Sequence, residues 1–240
     1  MMGLRAARTP DIVHIARSTG HHAVMVDLEH STMPVDVAAM LCVTADALGM
    51  AAFVRVPERE YGMIGRLLDG GAHGIVAPRV ETVDEARTVA RACRFAPRGQ
   101  RSQTAMVPQL GMRPTPAREL NPALDDAVMV QILIETPAGV ANADAIAAVP
   151  GVDMIAFGAN DFTAELGIPG QYDDPKLVDA VTTVAHACRR HGKLLMVGGV
   201  TVAAHRSLAP LGVCPLVLTG TDAALLYRAA EAAAVDVTKE

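Results

Sequence analysis

Eight short apolar runs, each followed by a stretch with helical spacing, recur along the chain, and this alternation limits the available folds more than any other feature. The runs are residues 2–6, HAVMVDLEH at 22–30, AAFVRV at 51–56, HGIVAP at 73–78, VMVQILIE at 128–135, DMIAFG at 153–158, KLLMVGG at 193–199 and PLVLTG at 215–220. Most are continuously apolar, which is the mark of strands buried on both faces and so of a parallel sheet covered by helices. Between them stand helix signals with a mechanism. Thr82 with Glu85 forms a capping-box pattern, Thr136-Pro137 and Asp174-Pro175 place a cap before a proline at the first helical position, and a terminal helix is expected over 222–234. Eight strand–helix units in 240 residues predict a (β/α)8 TIM barrel, as one domain spanning 1–240. An open doubly wound sheet would carry a glycine-rich turn after its first strand, where this chain has TPDIV.

Composition suits that architecture. The chain is 51% apolar but only 3% aromatic, so its core is built from Ala, Val, Leu, Ile and Met, which let helices pack closely on a sheet. A net charge of −5 gives no broad attraction for nucleic acid. The cysteines, Cys42, Cys93, Cys188 and Cys214, are far apart and without a C-x-x-C pair, so neither a zinc site nor a disulfide framework is expected. The first twenty residues lack an apolar signal core and no long uncharged apolar span occurs, so a soluble cytoplasmic protein without membrane contact is expected. The segment 96–126 breaks the alternation with Pro97, Pro108, Pro114, Pro116 and Pro122, and reads as a long loop serving as a lid or an interface.

A barrel of this kind carries its chemistry where strands end, on the loops that follow them. The residues leaving the runs are Arg5, then Asp27, Glu29 and His30, then Arg55, Arg79, Glu135 and Asp161. Glu135 and Asp161 leave neighbouring strands as two acids. As a pattern they fit helix-capping loop acids or paired hard-oxygen ligands for a divalent cation equally well. His30 titrates near neutral pH and suits proton transfer at a strand exit. Glu29 reads as an ion-pair partner of Arg55 or as support for the site, and Arg79 and Arg101 as solvated or interface charges. The other seven histidines have no ligand-like spacing. Lys176, Lys193 and Lys239 are the only lysines and none leaves a strand on the active side, which argues against chemistry through a lysine imine.

The stretches VDLEHS at 26–31, VRVP at 54–57, LLDGGAHGIVAPRVETVDEAR at 67–87, PRGQRS at 97–102, IETPAGVANADAIAAVPGVD at 134–153 and GANDFTAELG at 158–167 resemble the class II pyruvate aldolases of the HpcH/HpaI family, of the phosphoenolpyruvate/pyruvate barrel superfamily. The resemblance implies cleavage of a 4-hydroxy-2-oxo acid to pyruvate and an aldehyde, and the reverse addition, with a divalent metal (Mg2+ or Mn2+, with Co2+ also admitted). It implies Glu135 and Asp161 as metal ligands, His30 as the proton-transfer residue, Asp27 as its orienting partner, and Arg55 on the keto oxygen. Gly158, Ala159, Asn160 and Asp161 would supply carboxylate-binding amides. It further implies homo-oligomers, hexamers built from dimers that exchange the last helix.

Departures from the family pattern concern the substrate pocket. Leu133 stands where many relatives have glutamine, GANDFT replaces GPADLS through Ala159, Asn160 and Thr163, and Ser102 follows PRGQR in place of glycine. These departures lean toward the citrate lyase β-subunit-like CoA-thioester lyases, the runner-up reading. A barrel that binds a 2-oxo acid without turnover is the third.

Overall fold

The structure is a computed structural model that describes residues 1–238, with side chains through 235. In chain order its first half holds β1 (Met2–Leu4), α1 (Asp11–Ser18), β2 (Ala23–Asp27), α2 (Val35–Ala47), β3 (Ala51–Arg55), α3 (Ile64–Asp69), β4 (Gly74–Ala77) and α4 (Val83–Cys93). The second half holds α5 (Ala117–Ala127), β5 (Met129–Ile134), α6 (Pro137–Ala141), α7 (Ala143–Ala147), β6 (Met154–Gly158), α8 (Ala159–Glu165), α9 (Pro175–Arg190), β7 (Leu194–Gly198), α10 (Val202–Leu208) and α11 (Asp222–Thr238). Among the described residues no helix is long and apolar enough to cross a membrane.

The seven strands form one parallel sheet in sequential order, β1 to β7. Side chains alternate across each strand, and this divides the core in two. Val24, Val26, Val54, Ile75, Ile132, Ile134, Ile155 and Val197 face the helices, whereas Met25, Phe53, Val76, Leu133, Ala156 and Met196 form a separate cluster on the inner face. The inner face carries the chemistry. Asp27, Arg55 and Glu135 each stand two residues beyond an inner-face side chain, Met25, Phe53 and Leu133, so the strand period itself points them into the mouth of the curled sheet.

Two expectations need correction. The eighth strand, at 215–220, is not formed, so the protein is a parallel α/β fold on a seven-stranded curled sheet and not a closed eight-stranded barrel. The segment touches both neighbours without building a ladder. Isolated bridges join Leu195 to Val213 and Gly3 to Thr221, and the Thr219 amide donates to Met1 O at 3.0 Å. Pro215 has no N–H to give, and Gly220 leaves the extended conformation at φ +146°, so pairing fails within the run.

The second correction concerns 96–126, which is not one long loop: it contains a 3-10 turn at Pro108–Leu110 and nearly all of α5. Pro122 lies inside α5, an insertion that costs about 3 kcal/mol. Leu120 and Leu124 outweigh it by burying themselves against Phe95 and Val107, each contributing about 1.5–3 kcal/mol. The capping devices at Thr82, Thr136 and Asp174 form as the sequence predicts. Thr82 and Glu85 make the reciprocal box that opens α4, and Thr136 Oγ1 accepts the Gly139 amide at 3.1 Å to open α6.

Candidate active site

A cavity of about 140 Å³ opens at the carboxyl ends of the strands. Of the residues singled out in the sequence, Arg55, Glu135, Gly158, Ala159, Asn160 and Asp161 line it together. Met25, Val76, Leu133, Ala156 and Met196 give it an apolar floor, and Gly198 and Gly199 leave room on the β7 side.

Asp27 lies directly behind this lining. It is fully buried and gathers two guanidiniums: Arg55 donates from Nε to Oδ1 at 2.9 Å and from Nη2 to Oδ2 at 2.7 Å, and Arg5 donates from Nε to Oδ2 at 2.5 Å. Burial pushes the Asp27 carboxyl up, but the Arg55 and Arg5 charges and bonds outweigh it and hold the group below the usual carboxylate range. The third nitrogen of Arg55, Nη1, sits 3.0 Å from Glu29 Oε2, so Glu29 is the ion-pair partner the sequence suggested.

His30 is more peripheral. Its backbone amide donates to Asp27 Oδ1 at 3.3 Å, its side chain is 51% exposed, and its Nε2 lies 3.9 Å from Glu29 Oε2. Asp27 therefore fixes the backbone of His30 and leaves its ring free to turn.

Glu135 is nearly buried, and its Oε1 accepts the Arg79 backbone amide at 2.8 Å. Burial first, and then the neighbouring Asp161 carboxylate, push its carboxyl up to about 8, with the Arg79 amide opposing them. Its Oε2 packs against Gly158, where an added Cβ would fall 2.6 Å from that oxygen; only glycine leaves the carboxylate in place. Asp161 stands in the first turn of α8, just beyond β6, and is exposed to the cavity.

A buried carboxylate with one amide on it, beside a second carboxylate, has the donor chemistry of a hard-cation site. Among the described residues no group of three or more His, Cys, Asp and Glu side chains has metal-holding geometry.

Arg79 and Arg5 are the contributions that sequence reasoning missed. Arg79 acts through its main chain, in the left-handed region at φ +48°, while its side chain pairs with Glu165 on the surface. No side-chain pattern announces a backbone donor, although a non-glycine residue held in that region is a common sign of a constrained site. Arg5 was visible only as one more strand exit. Elsewhere, His73 is structural: its Nδ1 accepts the Ala52 amide at 3.1 Å. Lys193 donates to Val152 O at 2.7 Å and Lys176 begins α9, so neither reaches the cavity; Lys239 lies outside the described residues.

A curled parallel sheet that presents two adjacent carboxylates, an anchored guanidinium and a small apolar-floored cavity at its strand ends has the layout of an enzyme for small, oxygen-rich acids. The chain belongs to the HpcH/HpaI aldolase/citrate lyase family, whose model matches residues 2–207. It is similar to the 4-hydroxy-4-methyl-2-oxoglutarate aldolase tasA of Hapsidospora irregularis, with 37% identity over 83% of this chain and 74% of that one. It is also similar to a 4-hydroxy-2-oxovalerate aldolase of Rhodococcus jostii, 35% identical over 75% of this chain and 69% of the other. Among solved structures, an HpcH/HpaI aldolase from Desulfitobacterium hafniense superposes with a TM-score of 0.90 at 29% identity, over 100% of this chain and 92% of that one.

Proposed function

We propose that this protein is a divalent-metal-dependent pyruvate aldolase that cleaves a 4-hydroxy-2-oxo acid to pyruvate and an aldehyde or ketone, and runs the reverse addition. The observation that carries the reading is the pairing of buried Glu135 with Asp161 in a cavity that also receives Arg55. Glu135 and Asp161 would hold a divalent cation, Mg2+ or Mn2+ with Co2+ also admitted, which would supply Lewis-acid polarisation of the 2-oxo group.

The chain's own residues do the rest. Cleavage breaks the C3–C4 bond and drives its electron pair into an enolate, while the C4 hydroxyl loses its proton to leave a carbonyl. Protonation of the enolate carbon then gives pyruvate. Arg55, held by Asp27 on one edge and Glu29 on the other, meets the keto oxygen as negative charge grows there. Such a donor stabilises the transition state more than the substrate. His30 takes the hydroxyl proton, directly or through water, from its turn fixed by Asp27. The amides of Ala159, Asn160 and Asp161, with Gly158 keeping the approach open, receive the substrate carboxylate at the start of α8. The sequence's reading of Asp27, His30, Arg55, Glu135 and Asp161 is retained here, with one refinement: Asp27 orients Arg55 and the His30 main chain, not the imidazole.

The proposal includes a cytoplasmic place of action and a homo-oligomer, a hexamer built from dimers that exchange α11. The exposure of Leu226 (70%) and Tyr227 (66%) on that helix supports such packing.

The test is pyruvate release from 4-hydroxy-2-oxo acids, coupled to lactate dehydrogenase. Turnover that needs added Mg2+ or Mn2+, stops with EDTA and collapses in His30→Ala is the expected result. Turnover of CoA thioesters alone would replace the aldolase with the thioester lyase, and binding of 2-oxo acids without turnover would leave only a binding protein.

A further inference from the structure

The cavity holds a second guanidinium that the chemistry above does not use. Arg5 follows β1 directly and lines the cavity beside Met25 and Leu218. Its main chain is locked in place. The Arg5 amide donates to Asp222 Oδ1 at 2.9 Å, and the same carboxylate takes the amides of Ala6 and Ala7, so the start of α11 clamps the turn. Among the described residues its side chain donates one hydrogen bond, from Nε to Asp27 Oδ2.

The contrast with Arg55 is informative. All three Arg55 nitrogens are engaged, and its side chain is 11% exposed. The Arg5 side chain is 36% exposed, its ion pair with Asp27 runs through Nε, and among the described residues neither of its terminal nitrogens donates a hydrogen bond. A guanidinium held through Nε presents its two terminal N–H groups as a flat fork, the geometry that matches a carboxylate with two parallel bonds. Position matters too. β1 lies at one edge of the sheet order, four and five strands from β5 and β6, whose exits carry Glu135 and Asp161, so Arg5 addresses a different part of a bound molecule from the carboxylate pair. The floor between them is apolar, and among the described residues Arg5 and Arg55 are the only cationic side chains in the lining.

We infer that Arg5 determines specificity by binding a carboxylate on the fragment that leaves as the carbonyl product, so that the preferred substrate is a 4-hydroxy-2-oxo acid with a second carboxylate at its C4 end. This rests on the aldolase reading. Asp27 then serves both halves of the substrate, holding Arg55 for the keto acid and Arg5 for the departing fragment. The partly desolvated setting strengthens the ion pair, and the apolar floor offers no other group to balance that charge.

The experiment compares two substrates with wild type, Arg5→Met and Arg5→Lys, measuring pyruvate formation with Mn2+ present. One substrate carries a carboxylate at C4, as in 4-hydroxy-4-methyl-2-oxoglutarate; the other is neutral there, as in 4-hydroxy-2-oxovalerate. The expected result is that wild type favours the dianionic substrate at least tenfold in kcat/KM. Arg5→Met should lower that preference ratio at least tenfold, chiefly by raising KM for the dianionic substrate, and Arg5→Lys should restore part of it. Equal losses on both substrates would mean that Arg5 acts only by bracing Asp27 and Arg55, and would overturn the inference while leaving the aldolase standing. An unchanged ratio would overturn it as well. No pyruvate from either substrate with wild type would overturn the aldolase reading, and this inference with it.

Discussion

Arg55 grips Asp27 along one edge, with Nε at 2.9 Å from Oδ1 and Nη2 at 2.7 Å from Oδ2, and the carboxylate is wholly buried. The pair joins paired positions in the register of β2 and β3, so it links the stability of the sheet to the placement of the cavity's cation.

Asp27→Asn removes the charge that keeps two guanidiniums in place. Breaking one partner of a buried pair costs about 3–5 kcal/mol, and Glu29 still faces Arg55, so the lower end of that range is expected near pH 7. The sign of the pH effect follows from the lowered carboxyl. Its ionised form stabilises the fold at any pH above the ordinary value of 3.8, and that contribution is lost as the pH falls through the lower folded value. Urea denaturation between pH 2.5 and 7 should show the gap between wild type and variant closing on the acid side. A gap independent of pH would rule this account out.

Glu135 predicts the opposite slope. Its carboxyl is pushed up to about 8 from 4.5, so its protonated form favours the fold below the ordinary value, and that advantage drains away as the pH rises toward 8. In EDTA, wild type should lose several degrees of Tm relative to Glu135→Gln between pH 5.5 and 9. Added Mn2+ should restore wild type at pH 8 and leave the variant unmoved. Parallel Tm curves for the two proteins would contradict the assignment.

Kinetics separate the roles of His30 and Arg55. His30→Ala should reduce kcat by about 10²–10⁴, with Mn2+ affinity held. Arg55→Lys keeps the charge but cannot span Asp27 and Glu29 together, and should lose about 10²–10³ in kcat. Stopped assays for pyruvate and a fluorescence titration of Mn2+ would check both. A metal affinity lost in His30→Ala would place that residue in the cation site instead.

Gly158→Ala tests the cradle around Glu135. The new methyl would fall 2.6 Å from Oε2 and 2.9 Å from the Glu135 Cβ, so the glutamate must swing out of place. Mn2+ binding should weaken at least tenfold by calorimetry, with the fold's circular dichroism preserved. Native affinity in this variant would mean that Glu135 is not held where the metal sits.

Much of the site was legible because it lies on strand ends. Asp27, Arg55 and Glu135 continue the two-residue period of the inner face, and that period can be read from the chain. Arg79 was not legible, since its contribution is a main-chain N–H whose direction depends on a single φ angle. PLVLTG read as a strand as well as any other run, yet Pro215 and the turn at Gly220 leave it with bridges at its edges only. In 96–126, prolines suggested a loop, and the burial of Leu120 and Leu124 overrode them.

By itself the sequence determined the strand–helix alternation, the sequential parallel sheet and the acids, arginine and histidine at its mouth. These follow from local periodicity and capping, which act over a few residues. The tertiary structure alone decided which charges meet: that Asp27 is shared by Arg55 and Arg5, that Glu135 is buried beside Asp161, and that His30 stays at the rim. Those outcomes depend on how far the sheet curls and on what each side chain loses in hydration when its neighbours close over it, quantities set by packing across the whole chain.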